Sequence, residues 1–404
     1  MTVLRIRDVR LLVGAVGLSA FGDFMLWIPL ALHVEAMTGS PLAVSAFFLA
    51  LFGPVVALAG VAGRLADRFE NARLLWIASL AQAAAVVVMA LTADSLAAIL
   101  LLTAALGAGN AVAQPAEFSL IPAAAGDRVG EANGLVETAR YAGATAGPLA
   151  GGLLAAAGLL EVALLVDAAT FAAVALAARA MHARRDPRAA GRVAGDNGRA
   201  RDGLAHLTAD RVLRVTLAGA IVALLFFSMS IAAEVFYVAD VLHAGDAAYG
   251  ALIASWTVGM VLGAVGLAGR VPPAMLATGA LAGVAVQGLG IASAAAAGVL
   301  WAAFAGFALG GVAHGVKNVL LRTLIHQRVP EALRGRAFAV YNAARNGAEL
   351  GALGAGGVLI GAIGAQPALL LSGAIPLAVG VAALLLLAEP ITTTRRTAHA
   401  YLDA

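Results

Sequence analysis

The sequence contains no cysteine, a single lysine and few charged residues of any kind. Without cysteine there is no disulfide, no thiolate metal site and no thiol chemistry. The lysine, Lys317, follows Val316 rather than glycine, so the chain lacks the GxxxxGK phosphate loop of ATPases. GxSxG and HExxH motifs are also absent, which argues against an enzyme.

The scarcity of charge excludes a water-soluble fold. Only 12% of the 404 residues are charged and 62% are hydrophobic, whereas soluble domains contain about a quarter and about a half of these classes. The net charge is +3, but the arginines are scattered between apolar runs and form no aromatic-flanked basic patch. Nucleic-acid binding is therefore not expected.

Long apolar runs recur along the chain. About 20 apolar residues are needed to cross a hydrocarbon core of about 30 Å, and runs of roughly that length occur about a dozen times, each interrupted by proline, glycine or charge. They lack the short alternating pattern of membrane β-strands. The sequence predicts an all-α integral membrane protein with twelve transmembrane helices.

Arginines and carboxylates segregate to alternate connections between the runs. Connections rich in arginine remain in the cytoplasm, so we expect an even number of crossings and both termini in the cytoplasm. The arginine-free connections carry Glu35, Asp94, Glu161, Asp240 and Asp246. The arginine-rich connections carry Arg5, Arg7, Arg10, Arg64, Arg68, Arg73, Arg128, Arg184, Arg185, Arg188, Arg192, Arg199, Arg201, Arg270, Arg328, Arg334, Arg336, Arg395 and Arg396.

A polar stretch rich in glycine and arginine lies at the midpoint of the chain. We predict a six-helix bundle over residues 1–180, a cytoplasmic linker over 181–211, a second six-helix bundle over 212–390 and a cytoplasmic tail over 391–404. A shift of 205 residues aligns Ala139-Arg140 with Ala344-Arg345, as expected of two related halves. Two parallel halves with a site between them near the bilayer midplane form a transporter architecture.

The connection between the second and third runs reads Gly63-Arg64-Leu65-Ala66-Asp67-Arg68-Phe69-Glu70-Asn71-Ala72-Arg73. It resembles the signature G-x-L-a-D-R-x-G-R-R of the major facilitator superfamily, with Glu70 and Asn71 replacing the usual glycine and arginine. Asp67 at a helix end can pair with Arg68 or face the positive N-terminus of a neighbouring helix. We predict that Gly63, Asp67, Arg68 and Arg73 form a latch that closes the cytoplasmic side.

The fifth run reads Gly143-Ala144-Thr145-Ala146-Gly147-Pro148-Leu149-Ala150-Gly151-Gly152. It matches the family's antiporter signature g-x-x-x-G-P-x-x-G-G, and the resemblance implies export in exchange for protons. The spacing puts Gly143, Gly147 and Gly151 on one helical face, where two backbones can approach closely, and Pro148 adds a bend. Packing without any bearing on transport direction is the alternative explanation.

Weaker motifs extend the similarity over most of the chain, from Gly22-Asp23 to Gly335-Arg336. In this order they resemble the drug-exporter branch that includes macrolide-efflux and enterobactin-exporter-like proteins. The resemblance implies two pseudo-symmetric six-helix bundles in the bacterial cytoplasmic membrane and a cavity between spans 1, 4, 5, 7, 10 and 11. It implies monomeric, proton-coupled multidrug efflux of a small amphipathic drug or natural product by alternating access, hence antibiotic resistance. No cofactor or metal is expected.

Ionisable residues within the runs are candidates for proton coupling, because a charge at the bilayer centre costs at least about 2.5–3.5 kcal/mol. Asp23 lies near the middle of the first run and Glu349 near the middle of the eleventh. Loss of water favours a protonated carboxyl and a nearby cation favours a carboxylate. Alternate exposure to water or to Arg345 would therefore load and release a proton. His314 is a further candidate, and a static buried pair or polar hinge is the alternative.

Other polar and aromatic residues are predicted to line the cavity. Lys317 shares a helix face with His314 and suits an anionic or zwitterionic substrate, although snorkelling to the interface explains it equally well. Arg140 follows Glu137 by three residues, so a local ion pair is the simpler interpretation there. The candidate cavity residues are Trp27, Asn110, Gln114, Arg140, Glu234, Lys317 and Asn342.

Three other functions remain open at this stage. One is uptake of a nutrient, and a second is export of a siderophore or self-made metabolite, which the cationic residues of the tenth run favour. The third is a non-transporting membrane receptor or assembly subunit with the same fold. Such a subunit needs neither midplane carboxylates nor a latch, so Asp23, Glu349 and Asp67 favour transport.

Overall fold

The computed structural model of the chain describes residues 2–184 and 200–388, and these residues form helices and short connections without any β-strand. The helices in the first part are α1 (Arg7–Thr38), α2 (Pro41–Ala57), α3 (Ala59–Arg68), α4 (Asn71–Leu91), α5 (Leu96–Ala125), α6 (Val129–Ala156) and α7 (Leu160–Ala180). Those in the second part are α8 (Ala200–Ala209), α9 (Arg211–Phe236), α10 (Asp246–Val261), α11 (Leu276–Ala297), α12 (Leu300–Arg328), α13 (Glu331–Ile363) and α14 (Ala365–Ala388).

The apolar helices agree with the predicted crossings. Ten helical stretches of the described chain are long and apolar enough to span a membrane, and the bent pair α2 and α3 gives an eleventh. One stretch, Leu96–Ala156, contains both α5 and α6, with a 3-10 turn at Gly126–Arg128 between them. Its 61 residues exceed what one crossing needs. Counting it as two gives the predicted twelve.

The second predicted run is broken in the structure. Helix α2 ends at Ala57 and α3 begins at Ala59, at an angle of 49° to it. Pro54 lies one turn before the break, and proline cannot donate the backbone hydrogen bond that a helix interior requires. The Gly63–Arg68 part of the motif belongs to α3, so Asp67 and Arg68 lie at a helix end.

Helix α6 packs along α1 through its glycines. A Cβ atom at Gly147 would lie 2.7 Å from the carbonyl oxygen of Phe21, and one at Gly143 would lie 2.7 Å from its amide nitrogen. Gly151 approaches the carbonyl of Met25 even more closely. Since an added methyl group meets backbone rather than a flexible side chain, these glycines permit the α1–α6 contact.

The last glycine of this signature faces a different helix. A Cβ atom at Gly152 would lie 2.9 Å from the Cα of Gly250, near the start of α10. On the other flank, a Cβ atom at Gly357 of α13 would lie 2.7 Å from both the carbonyl oxygen of Pro41 and the Oγ of Ser45 in α2. Both contacts join a helix before the linker to one after it. Both lie at the end of the molecule that carries the acidic connections, here called the acidic side.

The opposite end, here called the arginine side, is open between the same helices. Glycines on the arginine-side half of α6 and on α13 face empty space, including Gly130, Gly134 and Gly347. The polar side chains of Asn133 and Asn342 on these helices are exposed. The structure is therefore closed on the acidic side and open on the arginine side.

The described part of the predicted linker contains helix α8, which packs on the arginine-side end of α13. Arg336 contacts Asp202 at 3.3 Å, and His206 contacts the carbonyl oxygen of Arg328 at 3.1 Å. Leu207 of α8 is buried. The rest of the linker, including Arg185, Arg188, Arg192 and Arg199, and the predicted tail over 391–404 lie outside the described residues.

Candidate functional site: two adjoining cavities and their ionisable groups

A cavity of about 230 Å³, here called the first-half cavity, lies among α1, α2, α5 and α7. Asp23, Trp27, Asn110 and Gln114 all contribute to its wall, so the structure brings four of the predicted residues together. Phe47, Leu51 and Phe52 of α2 supply an apolar wall. Trp27 packs edge-on against Phe48 and Phe52, with ring centroids 5.6 and 6.0 Å away.

Three buried polar atoms in this wall lack a hydrogen-bond partner among the described residues. They are Nε1 of Trp27, Oγ1 of Thr103 and Oδ2 of Asp167. An unsatisfied buried polar group costs about 1–3 kcal/mol. Two oxygens and one indole N–H around one cavity are therefore available to a ligand or to water.

Asp23 of α1 lies beside Asp167 of α7, with which it interacts electrostatically. Gly22 makes this possible, because a Cβ atom there would collide with the Oδ1 of Asp167 and the Oγ1 of Thr170. The hydroxyl of Thr170 donates to Oδ1 of Asp167 at 3.2 Å, and Asp167 is 1% exposed. Two carboxyl groups thus share one polar site inside an apolar bundle.

An arginine of α6 neutralises part of this acidic cluster. Arg140 donates from Nη2 to Oε2 of Glu117 on α5 at 3.3 Å and contacts Glu137 on its own helix at 3.6 Å. Glu117 is buried, whereas Glu137 is substantially exposed. The predicted i, i+3 pair is present, but the buried partner of Arg140 comes from another helix. Asp23 interacts with both members of the Glu117–Arg140 pair.

A second cavity of about 270 Å³, here called the central cavity, lies between α1 and α6 on one side and α9, α10 and α12 on the other. Phe24 and Trp27 belong to the walls of both cavities. In the wall of the central cavity Trp256 stacks on Phe227, with ring centroids 4.8 Å apart and planes 13° apart. The walls are thus largely aromatic.

Ionisable groups from both halves reach the central cavity, where Arg140 and Glu234 contribute to the wall. Glu234 of α9 is 4% exposed, and its Oε1 accepts a hydrogen bond from Ser230 at 3.0 Å. It has no basic partner within salt-bridge distance among the described residues. A carboxyl group and a guanidinium group therefore line one aromatic chamber.

Lys317 and His314 form a separate polar network on α12. The Nζ of Lys317 donates to Oε1 of Gln287 on α11 at 2.8 Å and contacts Nδ1 of His314 at 3.3 Å. Nδ1 of His314 also contacts Gln287 at 3.2 Å, and its ring packs against Trp256 at 5.3 Å. Lys317 is 3% exposed, so in this structure it is buried rather than snorkelling to the interface.

The predicted residues of α13 do not join either cavity. Arg345 contacts Glu349 at 3.6 Å, the local i, i+4 pair that the spacing allows. Asn342 is exposed one turn before Arg345. Arg345 still influences His314 and Lys317 electrostatically, which places the arginine-side half of α13 next to the α12 network.

The latch residues are on the surface of the arginine side. A Cβ atom at Gly63 meets nothing within 4 Å, so Gly63 makes no close helix contact in this conformation. Asp67 and Arg68 end α3, and Arg73 lies in the first turn of α4. Glu70, the departure from the family pattern, caps α4 by accepting from the amides of Ala72 and Arg73 at 3.0 and 3.2 Å.

Sequence reasoning missed two glutamines, Gln82 and Gln287, which lie exactly one internal repeat of 205 residues apart. Gln82 of α4 donates to Oδ1 of Asn110 on α5 at 2.9 Å, while Gln287 of α11 contacts two side chains of α12. Each half thus uses a buried glutamine of its third span to hold polar groups of its fourth. The repeat itself was the signal that could have revealed them.

The sequence profile of the Major Facilitator Superfamily matches residues 12–352. No curated protein shows significant sequence similarity to the chain.

Solved transporters share the fold at low sequence identity. A bacterial homologue of the human lysosomal transporter Spinster, in an inward-facing and unoccupied conformation, is 16% identical with a TM-score of 0.65 and 94% of each chain covered. The nucleoside transporter NupG is 13% identical with a TM-score of 0.72, over 94% of this chain and 100% of that one. A bacterial homologue of the iron transporter ferroportin, in an inward-facing state, is 15% identical with a TM-score of 0.70, over 96% and 99%.

Proposed function

The chain belongs to the Major Facilitator Superfamily, and from that premise we propose that it exports a small amphipathic drug or natural product in exchange for protons. It is a multi-pass membrane protein with a transporter fold. Transporters of this superfamily bind small molecules and typically act as monomers. Orientation in a bacterial cytoplasmic membrane, with both termini and the arginine side in the cytoplasm, is part of the proposal.

One observation carries the proposal: the two cavities share Phe24 and Trp27 and adjoin a cluster of three carboxyl groups, two of them buried and the third, Asp23, partly exposed in the wall of the first-half cavity. The cluster consists of Asp23, Glu117 and Asp167. An apolar chamber with few polar groups suits an amphipathic ligand. Carboxyl groups in its wall are able to exchange a proton with water that enters by the same route.

The charges in the cluster do not balance, which supports proton coupling. Arg140 already pairs with Glu117, so Asp23 and Asp167 share no further cation within salt-bridge distance among the described residues. Two neighbouring carboxyl groups are not both ionised without a cost. We infer that Asp23 releases its proton when the chamber is open to the cytoplasm and regains one after the chamber opens outward. Substrate binding and proton binding then favour different states.

Transport in proteoliposomes tests this directly. The purified protein is reconstituted with an imposed pH gradient, and accumulation of ethidium and of a macrolide antibiotic is followed before and after an ionophore collapses the gradient. Coupling free energies between linked sites are typically 1–3 kcal/mol, or about 5–150-fold. We therefore expect Asp23→Asn to lower gradient-driven accumulation at least about fivefold and to leave downhill exchange measurable.

Matched variants separate the candidate carriers. Glu131→Gln is the control, because Glu131 is an exposed carboxyl paired with Arg128 at the start of α6. Glu349→Gln tests the second sequence-based candidate, whose partner in the structure is Arg345. Full pH-driven transport by the variant lacking both Asp23 and Glu349 carboxyls would refute the assignment. Transport of a nutrient from the outer side to the cytoplasmic side, with no export of ethidium or the macrolide, would instead identify an uptake system.

A second candidate substrate class is an anionic siderophore or self-made metabolite. The observation that favours it is Lys317, a buried cation whose hydrogen-bond partners, Gln287 and His314, are both neutral acceptors rather than carboxylates. A cation without a counter-ion is costly in an apolar environment, and an anionic group would offset this cost. Loss of anion transport but not ethidium transport in Lys317→Gln would support this class. Absence of any substrate flux would favour the non-transporting receptor or assembly subunit.

A further inference from the structure

A separate cavity of about 370 Å³ lies at the arginine side, between the beginning of α4 and the end of α7. This recess, here called the arginine recess, is lined by Glu70, Ala72, Arg73, Trp76, Ala178, Arg179 and Arg184. It is remote from the two cavities described above and shares no wall residue with them. Three guanidinium groups face it against a single carboxylate.

The single carboxylate, Glu70, already has hydrogen-bond and ion-pair partners within the protein. Glu70 accepts the amides of Ala72 and Arg73 as the cap of α4 and contacts Nε of Arg184 at 3.4 Å. Arg73 and Arg179 make no ion pair with any described residue. The guanidinium of Arg179 instead lies 5.9 Å from the ring centre of Trp76. The recess therefore holds about two uncompensated positive charges, and arginine binds phosphate oxygens in a bidentate geometry.

The surface next to the recess is apolar and faces away from the protein. Ile77 and Leu80 follow Arg73 on one face of α4 and are 48% and 50% exposed. Leu176, one turn before Arg179 on α7, is 67% exposed. Trp76 lies where the apolar surface meets the charged end, the position that tryptophan favours at a membrane interface. An occupant of the recess thus meets cations at one end and hydrocarbon-compatible surface at the other.

From this combination we propose that the arginine recess binds the phosphodiester headgroup of an anionic phospholipid, whose acyl chains lie along α4 and α7. A phosphodiester supplies the missing negative charge, and the acyl chains cover the exposed leucine and isoleucine side chains. A soluble phosphate ester shares the headgroup chemistry but gains nothing from the apolar surface. The site is independent of the transport chamber.

Native mass spectrometry of the detergent-purified full chain, titrated with phosphatidylglycerol or phosphatidylcholine, tests the site. The test variant replaces Arg73, Arg179 and Arg184 with glutamine. The control replaces Arg201, Arg270 and Arg322 with glutamine, because these are exposed arginines that lie outside the recess. We expect the test variant to lose one tightly bound phosphatidylglycerol, with the Kd rising about tenfold or more. The control should retain wild-type affinity, and phosphatidylcholine should bind both weakly.

Two further measurements test the contributions of positive charge and of the acyl chains to binding. The triple lysine variant of the same positions keeps the charge, and we expect it to retain part of the affinity if the native fold is intact. Millimolar inorganic phosphate is added as a competitor, and we expect it not to displace the lipid. Unchanged lipid affinity in the folded glutamine variant, or full displacement by inorganic phosphate, would overturn the lipid assignment.

Discussion

The closed acidic side depends on a contact that a single methyl group should disrupt. Near this end α6 and α10 meet through Gly152 and Gly250. A Cβ atom built on Gly250 lies 2.8 Å from the Cα of Gly152 and still closer to the carbonyl oxygen of Pro148. All of these atoms are backbone, so no side chain can rotate out of the way. Gly250→Ala should therefore force the two helices apart at this end.

The size of the effect follows from the overlap. Two carbon atoms pack at about 3.5–4.0 Å, so the helices must separate by roughly 1 Å to accept the methyl group. Overpacking of this kind typically costs about 1–3 kcal/mol. The cost applies only to the state that is closed on the acidic side. The ratio of the two states should then shift about 5–150-fold towards opening of that side.

Distances between spin labels measure this shift. The chain has no native cysteine, so cysteines introduced at Ala157 and Ala247, on the acidic-side ends of α6 and α10, are the only labelling sites. We expect a short distance to dominate in the otherwise native chain and a longer one to gain population in Gly250→Ala. The reasoning would be refuted if Gly250→Ala gave the same distribution as Gly361→Ala, whose added methyl group meets nothing within 4 Å.

Three further outcomes are expected. Gly22→Ala should lower the free energy of unfolding in detergent by about 1–3 kcal/mol, because its methyl group collides with Asp167 and Thr170. Gly14→Ala is the control, because its methyl group meets nothing within 4 Å and should leave the stability unchanged. Lys317→Met should lower the free energy of unfolding by about 1–3 kcal/mol, because Gln287 loses the donor at 2.8 Å and keeps only its contact with His314. Adding Gln287→Leu should recover most of this loss if the network is structural. Asp210→Ala should loosen the α8–α9 junction by about 0.5–2 kcal/mol at pH 7, since Asp210 caps α9 and pairs with Arg328 at 2.6 Å. Burial opposes ionisation of Asp210, but hydrogen bonds from Leu213 and Val212 and the pair with Arg328 lower its pKa. The stabilisation by ionised Asp210 is therefore lost as the pH falls below the usual carboxyl pKa of about 3.9. Hydrogen exchange in α8 should show the difference between wild type and Asp210→Ala shrinking over that range.

The crossings and the tight helix contacts were predictable because each depends on local composition. A run of about 20 apolar residues is a requirement of the bilayer itself. Glycines spaced four apart identify a face that packs closely, and Gly143, Gly147 and Gly151 do contact α1. The sequence does not say which helix is the partner, so the contact from Gly152 to Gly250 required the structure.

The sequence shows which helices carry the ionisable groups, but it does not identify all of their partners. Spacing predicts partners only within one helix, which is why Glu137 was the expected partner of Arg140 and Glu117 was not. Glu349 lies in the middle of its run but remains beside Arg345 on the surface of α13. Depth in the membrane follows from position in the run, whereas access to a cavity depends on helix rotation, and a weakly amphipathic helix leaves its rotation unspecified.

The conformational state was not predictable at all, and the reason is physical. Alternating access requires that the same residues satisfy two arrangements, so the sequence pattern is compatible with both. Gly63 and Gly347 illustrate this point. Both have the small size that close packing needs, yet a Cβ atom at either would meet nothing within 4 Å in this conformation. Their size is explained if they make contact when that side closes.

Helix α6 explains how protonation and opening are linked in the proposed cycle. It carries Arg140, which pairs with Glu117 beside Asp23, and about three turns later it carries Gly152, which contacts Gly250 on the acidic side. Between these two points its glycines lie directly on the backbone of α1, the helix of Asp23, so neither helix shifts without the other. A change in charge on Asp23 alters the force on Arg140 and therefore acts on the element that makes the closing contact. In the proposed cycle the linkage therefore requires only a joint displacement of α1 and α6, through which a change of charge on Asp23 would act on the Gly152–Gly250 contact.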